Sequence, residues 1–279
     1  MKLTVLVDNQ TFIDHYFLAE PALSYLIELD GKKILWDVGY SNVFLSNALK
    51  MGQSLLDLDI VALSHGHLDH TWGLESLIRL YTEAQFEKRD FRRPQLIMHP
   101  GALDSRTFHG GDEFGSMLSK SILNKYFDLV LTDAPVWLTD KLVFLGQVER
   151  TNAFEAQKPI GKIGQGNDLK DDFMLDDTAL AYRSPQGLVI ITGCSHSGIC
   201  NITEYGRKIT GEDRVLDVIG GFHLQEPSKE QLGGTLEYFS GLQPERLHAC
   251  HCTDLDSKIA LSRVAALQEV GVGLVLEYV

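Results

Sequence analysis

Ile60-Val61-Ala62-Leu63-Ser64-His65-Gly66-His67-Leu68-Asp69-His70 is the stretch on which the reading of this chain turns. Ile60–Leu63 is a continuous apolar run, as expected of a strand covered on both faces. A polar turn follows it, and a helical pattern begins at Thr71 and runs to Ala84. Four potential metal ligands, His65, His67, Asp69 and His70, stand within six residues. Imidazole and carboxylate together suit zinc, iron or manganese. Gly66 permits a tight backbone path between the histidines. Asp69 alone reads equally well as a helix cap, but a cap does not account for three neighbouring histidines. Metal ligation is therefore the expected role.

Outward from this loop, short β-rich runs alternate with helical ones. The strands expected in the first half are Thr4–Val7, Ser24–Leu29, Lys33–Trp36, Ile60–Leu63 and Leu96–Met98. Those in the second half are Leu142–Leu145, Thr178–Tyr182, Leu188–Thr192, Val215–Ile219, Leu247–Cys250 and Leu274–Leu276. Asp30-Gly31-Lys32-Lys33 and Ser184-Pro185-Gln186-Gly187 read as hairpin turns. Helices are expected over Val43–Met51, capped at Ser41, and over Thr71–Ala84, Gly198–Thr210, Lys229–Ser240 and Ser257–Val270. Each half holds strand, turn, strand and polar loop, an architectural repeat without sequence self-similarity. The alternation predicts α/β layering, a four-layered sandwich with two central mixed sheets in a single domain over 1–279. Glu83–Lys120 and Thr151–Asp177 are irregular, and read as binding loops or as solvated insertions.

The bulk numbers fit a globular protein and exclude several classes. The chain has 279 residues, 44% hydrophobic and 23% charged, enough apolar material for a sizeable core. Its formal charge of −13 makes a phosphate backbone a poor default partner. No window approaches the roughly 18 apolar residues of a membrane span. The start, Met1–Asp8, reads as a first strand and not as a leader, so the expected location is cytoplasmic. The four cysteines, Cys194, Cys200, Cys250 and Cys252, show no C-x2-C spacing and are too sparse for a disulfide scaffold. There is no G-x-x-x-x-G-K-[ST] stretch, so P-loop chemistry is excluded.

His196 and His251 each lie just after a buried run, where a rim residue belongs. His99 ends another such run and is read first as a satisfied strand-end histidine and second as a residue that lines the pocket. His15, His109 and His248 have no supporting context, and Trp36, Trp72 and Trp137 are read as core. Cys250 and Cys252 alternate about His251, and are read as packing residues that face away from it. Cys194 is an additional ligand or a small buried cysteine. His223 is a further ligand or a proton donor. Asp176 and Asp177 point inward or belong to an acidic loop.

The H-x-H-x-D-H stretch resembles the hallmark of the metallo-β-lactamase superfamily. Asp37, in Leu35-Trp36-Asp37-Val38-Gly39, looks like the aspartate that orders the metal loop from behind the ligands. Thr192-Gly193-Cys194-Ser195-His196-Ser197-Gly198, Gly220-Gly221-Phe222-His223-Leu224, Cys250-His251-Cys252-Thr253 and Leu6-Val7-Asp8-Asn9 resemble one subgroup. It is the 7,8-dihydropterin-6-methyl-4-(β-D-ribofuranosyl)-aminobenzene-5′-phosphate synthase-like group. Two positions depart from its pattern: Pro21-Ala22 stands where a histidine and glycine are usual, and Asp254 where glycine is usual.

The resemblance implies the metallo-β-lactamase fold and two metal ions, zinc first, with iron or manganese as alternatives. It implies that His65, His67 and His196 hold one metal and Asp69, His70 and His251 the other. Asp69 and His223 are the expected catalytic residues, His223 as proton donor to the leaving group. A dinuclear site of this kind activates water, so hydrolysis of a small ester, lactone, thioester or phosphoester is the simplest expectation. The subgroup implies instead a transferase, the pterin-dependent synthase, with a phosphorylated or pterin-like substrate. An iron-loaded redox or sensor protein and a non-catalytic binding module are the remaining readings. No nucleic acid or membrane partner is expected, and the oligomeric state is left open.

Overall fold

Every apolar run named above forms a strand. The structure, a computed structural model, describes residues 1–108 and 111–279; His109 and Gly110, at the glycine-rich stretch, lie outside the described residues. In chain order the first elements are β1 (Lys2–Val7), β2 (Ser24–Leu29), β3 (Lys32–Trp36), α1 (Val43–Lys50), β4 (Ile60–Ala62), α2 (Leu68–Thr71), α3 (Leu74–Phe86) and β5 (Gln95–Met98). Next come β6 (Arg106–Thr107), α4 (Lys120–Leu123), β7 (Asp128–Leu131), β8 (Val136–Trp137), β9 (Leu142–Phe144), β10 (Lys162–Ile163) and β11 (Lys170–Asp171). The last are β12 (Ala179–Ser184), β13 (Gly187–Thr192), α5 (Ile199–Thr210), β14 (Val215–Gly221), α6 (Lys229–Leu242), β15 (Arg246–Cys250), α7 (Leu255–Leu261) and β16 (Val275–Glu277).

These elements fall into two compact units. The first comprises 1–132, 161–171 and 271–278, and the second 133–160, 172–270 and Val279.

In the first unit a seven-stranded sheet has the order β16-β1-β2-β3-β4-β5-β7. It is antiparallel as far as β3 and parallel from β3 through β7. The β2–β3 hairpin closes through Asp30 and Gly31, both at positive φ (51° and 76°), with Leu29 facing Lys32. That two-residue geometry matches the strand twist and favours glycine in the loop. Phe44 and Ala48 of α1 and Leu74, Leu77 and Tyr81 of α3 pack on Leu6, Leu26, Leu35, Val61 and Leu96 of the sheet. A second, three-stranded sheet, β11-β10-β6, joins the two irregular stretches: Ile163 faces Arg106, and Lys162 lies between Thr107 and Asp171.

The second unit is a six-stranded sheet in the order β15-β14-β13-β12-β9-β8, antiparallel through β13 and parallel from β13 to β15. At its hairpin the Ser184 hydroxyl donates to the Gly187 carbonyl (2.7 Å) and accepts from Gln186 N (3.1 Å). Ile202 and Tyr205 of α5, Phe239 of α6 and Leu261 of α7 pack with Ala181, Leu188, Ile190 and Leu247. Gly206 lets α5 approach the sheet, since a Cβ there would lie 2.5 Å from Ile190 Cδ1.

β6, α4, β7, β8, β10 and β11 lie outside the runs named above, and the expected helices and tryptophans depart from the sequence pattern as follows. The helix expected from Thr71 is two: α2 ends at Thr71, and α3 begins at Leu74. The last helix starts at Leu255, capped by Asp254, and ends at Leu261. Beyond it Leu247 N donates to Ala266 O and Gln268 N to Leu247 O, so pairing beside β15 overrides the helical pattern. The residue that precedes α1 is Asn42, although Ser41 Oγ still accepts from Val43 N at 3.3 Å. Trp36 is fully buried, whereas Trp137 is exposed and lies under the Arg183 guanidinium. Among the described residues no helix is long and apolar enough to cross a membrane.

Candidate metal centre

In the first unit the loops leave the carboxyl ends of β3, β4 and β5, where open α/β sheets place their sites. Asp37 follows β3 in the left-handed region (φ 53°) and is fully buried. Its Oδ1 accepts from Ser64 N (2.7 Å), and its Oδ2 accepts from Ser64 Oγ (2.7 Å) and His70 Nδ1 (2.7 Å). Ser24 Oγ donates to the Asp37 carbonyl at 2.9 Å, pinning the turn from behind.

This network fixes the histidine tautomers. The single Ser64 hydroxyl proton goes to Asp37, so Ser64 Oγ accepts from His65 Nδ1 at 2.8 Å. His65 and His70 therefore both carry their protons on Nδ1 and turn the lone pair of Nε2 away from their anchors. His70 Nε2 lies 3.6 Å from Asp69 Oδ2. One ligand atom each from His65, His67 and Asp69 lies within 4.8 Å of the others. The rings of His65 and His67 have centroids 4.6 Å apart, and those of His65 and His70 4.2 Å.

His67 occupies the residue before α2, and its carbonyl accepts from Thr71 Oγ1 (2.9 Å) and His70 N (3.1 Å). No side chain caps that helix; Asp69 lies inside its first turn. Gly66 is needed for close approach and not for its φ. A Cβ there would lie 2.3 Å from both the Ala102 carbonyl and Arg106 Nη1. His99 is half satisfied: Nδ1 accepts from Gly101 N at 3.1 Å, and Nε2 is buried with no hydrogen-bond partner among the described residues.

The second unit repeats the plan at β13, β14 and β15. After β13 come Cys194, Ser195 (φ 59°) and His196; after β14 comes His223 (φ 51°); after β15 comes His251 (φ 51°). Left-handed non-glycine residues are costly and cluster where the surrounding structure dictates them. The His196 and His223 rings lie 4.4 Å apart. Ser195 Oγ donates to the Gly221 carbonyl at 2.6 Å and so joins the β13 and β14 ends.

Asp177 is fully buried, and its Oδ2 accepts from Ser197 N at 2.8 Å. Burial, with Asp176 adding to it, pushes its carboxyl up to about 7 against the backbone bonds and Arg150. Asp176 is also buried.

Cys252 does not face away, because the left-handed turn at His251 ends the strand alternation. Its sulfur meets His223, whose backbone N–H donates to it at 3.3 Å, and the Cys194 side chain. Burial would raise the Cys252 thiol, but contacts with Cys194 and His223 outweigh it and hold it well below the usual range. Burial conversely depresses His223, and Cys252 overrides this and raises it. Cys250 is fully buried, as a packing residue should be.

The remaining polar candidates sort plainly. His15 is exposed, edge-on to Phe12 and Phe17. His248 has a context that its sequence does not announce: a buried bond from Nδ1 to Asp217 Oδ1 at 2.9 Å. Ser64 joins the site without a motif of its own; a serine beside a candidate ligand histidine at a strand end is the available signal. A groove of about 630 Å³ in the first unit, with Tyr40 stacked on Trp72, is lined by none of the candidate ligands.

A family model described as the metallo-beta-lactamase superfamily matches residues 18–95. The chain is 30% identical over 264 residues to the uncharacterized protein MJ0448 of Methanocaldococcus jannaschii, covering 94% of each. It is 29% identical over 262 residues to that organism's 7,8-dihydropterin-6-methyl-4-(beta-D-ribofuranosyl)-aminobenzene-5′-phosphate synthase, covering 91% of this chain and 87% of the other. A crystal structure of Tm1679, described as a metal-dependent hydrolase of the beta-lactamase superfamily, superposes with a TM-score of 0.82 at 28% identity. That match covers 99% of this chain and 98% of the other.

Proposed function

This chain belongs to the metallo-β-lactamase superfamily, and from that premise we propose that it is a metal-dependent hydrolase acting on a small ester, lactone, thioester or phosphoester. The two units are read as halves of one domain. The proposed ligands are His65, His67 and His196 for one metal and Asp69, His70 and His251 for the other, with Cys194 as an additional ligand. Zinc is the first choice of metal, with iron or manganese as alternatives.

The observation that carries the reading is the pair of anchored imidazoles. Asp37 and Ser64 accept hydrogen bonds from the Nδ1–H of His70 and His65, leaving the Nε2 lone pair of each to face Asp69 and His67. Metal-ligating histidines characteristically tie their other nitrogen to a carboxylate or polar oxygen in this way. A mixed nitrogen and carboxylate set fits zinc.

When bound, a metal pair supplies polarisation of a carbonyl or phosphoryl oxygen and activation of water near neutral pH. The chain's own residues do the rest. Asp37 holds His70 in one tautomer. Asp69, in the first turn of α2, is a ligand and orients the attacking water. His223 is the proton donor to the leaving group, its backbone N–H bonded to Cys252 Sγ and its ring set against His196.

A second reading is a transferase like the named synthase, favoured by the relative that is 29% identical over nearly the whole chain. The substrate is a small molecule on either reading, and the net charge of −13 disfavours nucleic acid.

The test is elemental analysis of protein purified without chelators or added metal, beside His67→Ala and His251→Ala. Close to two zinc ions per chain, falling in both variants, supports the dinuclear reading and justifies a screen of phosphoester, lactone and thioester substrates. Iron in their place moves redox chemistry to the front. No metal, and none taken up on titration, overturns the proposal. His223→Ala is expected to keep its metal and lose turnover; full turnover with full metal removes the proton-donor role.

A further inference from the structure

Two thiols of the second unit, Cys194 and Cys252, meet between the loops that follow β13 and β15. Cys252 Sγ lies 3.4 Å from the Cys194 carbonyl and is also in contact with the Cys194 side chain. The His223 backbone N–H holds the same sulfur at 3.3 Å. Gly221 provides the notch in which it sits: a Cβ there would lie 2.5 Å from Cys252 Sγ. Cys252 is partly exposed, Cys194 is 4% exposed, and Cys200 and Cys250 are fully buried. Among the described residues, then, the least buried of the four cysteines has a second cysteine beside it.

We propose that Cys194 and Cys252 form a redox modification site, at which a peroxide couples the two thiols into a disulfide. The Cys252 sulfur attacks one peroxide oxygen and the O–O bond breaks. Cys252 becomes a sulfenic acid, and the other oxygen leaves as water with the Cys252 thiol proton. The Cys194 sulfur then displaces the hydroxyl from Cys252 sulfur, which leaves as a second water with the Cys194 proton. In total two thiols and one hydrogen peroxide give one disulfide and two waters. The thiols are oxidised by two electrons and the peroxide is reduced by two.

The site sits where a cross-link has consequences. Cys194 is two residues from His196, and Cys252 adjoins His251. Ser195 and His251 hold the two turns in left-handed conformations at φ 59° and 51°. Drawing the sulfurs together pulls on both turns at once and takes Cys194 out of reach of a metal. This consequence rests on the metal reading above; the cross-link itself does not.

The experiment treats the full-length, metal-loaded protein with hydrogen peroxide and then maps its peptides without reductant. The expected result is a fall in free thiols, counted in denaturant, from the four in the sequence to two. A Cys194–Cys252 peptide pair, released by dithiothreitol, accompanies it, and bound metal falls at least twofold. Cys252→Ser treated alike is expected to keep its remaining thiols and its metal. Four persisting thiols, a link through Cys200 or Cys250, or over-oxidation of Cys252 without a link overturns the proposal. A link that forms without metal loss leaves the modification site standing and removes its effect on the metal. Protein that never held metal fails the functional reading, while the thiol count still decides this one.

Discussion

Asp37 Oδ2 accepts from His70 Nδ1 at 2.7 Å, with both side chains fully buried, Asp37 just after β3 and His70 within α2. The same carboxylate accepts two hydrogen bonds from Ser64, one from its backbone N–H and one from its hydroxyl, and Ser64 in turn holds His65. One aspartate thus sets the tautomer and direction of two imidazoles. Its left-handed backbone (φ 53°) costs energy that these bonds offset.

Asp37→Asn keeps the shape and tolerates the left-handed backbone, but it removes the charge and leaves one oxygen to serve three donors. Metal affinity, measured by competition with a chromophoric chelator, is expected to fall about 10- to 100-fold, the usual loss for a partner behind a ligand histidine. Asp37→Ala is expected to lose more, and to melt lower, because Ser64 N, Ser64 Oγ and His70 Nδ1 then lose their shared carboxylate in a buried site. Unchanged affinity in both variants removes Asp37 from the site.

Gly66→Ala separates close approach from backbone freedom. The added methyl would meet the Ala102 carbonyl and Arg106 Nη1, both at 2.3 Å, and one of these is backbone. Either the metal loop or the turn after β5 must move. The variant is expected to lose about 1–3 kcal/mol in urea unfolding, the usual range for overpacking, together with metal affinity. Wild-type values for both would show that the turn yields freely.

Asp254 stands where the subgroup's pattern has glycine, and it has a structural task. Its carboxylate accepts from Ser257 N and Glu226 N, both at 2.7 Å, capping α7 and fastening the chain after β14. Asp254→Ala is expected to cost about 1 kcal/mol, as lost caps do. The backbone bonds from Ser257 and Glu226 outweigh desolvation and hold its carboxyl below the ordinary range. A depressed folded pKa means that this stability is complete above the ordinary carboxylate range and is lost as pH falls through the folded value. The difference between wild type and variant should therefore shrink at low pH; a difference that grows there contradicts the cap.

Much of this arrangement is legible in the sequence, for identifiable reasons. Runs such as Ile60–Ala62 and Gly187–Thr192 are buried on both faces, so their composition announces them without alternation. His65, His67, Asp69 and His70 lie on one loop and the short helix that continues it, so their proximity is already written in their spacing. The pairing of Lys162 with Thr107 is not written there, because two-residue strands far apart in sequence have no periodicity to read. Cys252 escapes the pattern for a local reason. Alternation about His251 assumes a strand, and a single left-handed residue there turns the next side chain toward Cys194 and His223. Trp137 is a core residue by type alone, but it lies exposed on a two-residue strand at the sheet edge.

Asp177 gives the protein a pH dependence opposite in sign to that of Asp254. It is fully buried beside His196, and burial raises its pKa from the ordinary 3.8 to about 7. Between those values the folded chain holds a proton that the unfolded chain has released. The slope of unfolding free energy with pH follows protons bound unfolded minus folded, so here it is negative. The metal-free protein is therefore expected to lose stability as pH rises from about 4 to about 7, with the loss complete above the folded value. Glu155, also raised by burial, adds to the same trend at the start of α5. Asp177→Asn removes the ionisation but keeps an acceptor for Ser197 N, so urea midpoints across this range should flatten to the part left by the other shifted groups, Glu155, His223 and Cys252. A variant that keeps the full wild-type slope would assign the pH dependence elsewhere, and Asp177 would then be ionised throughout, with its charge balanced by Arg150.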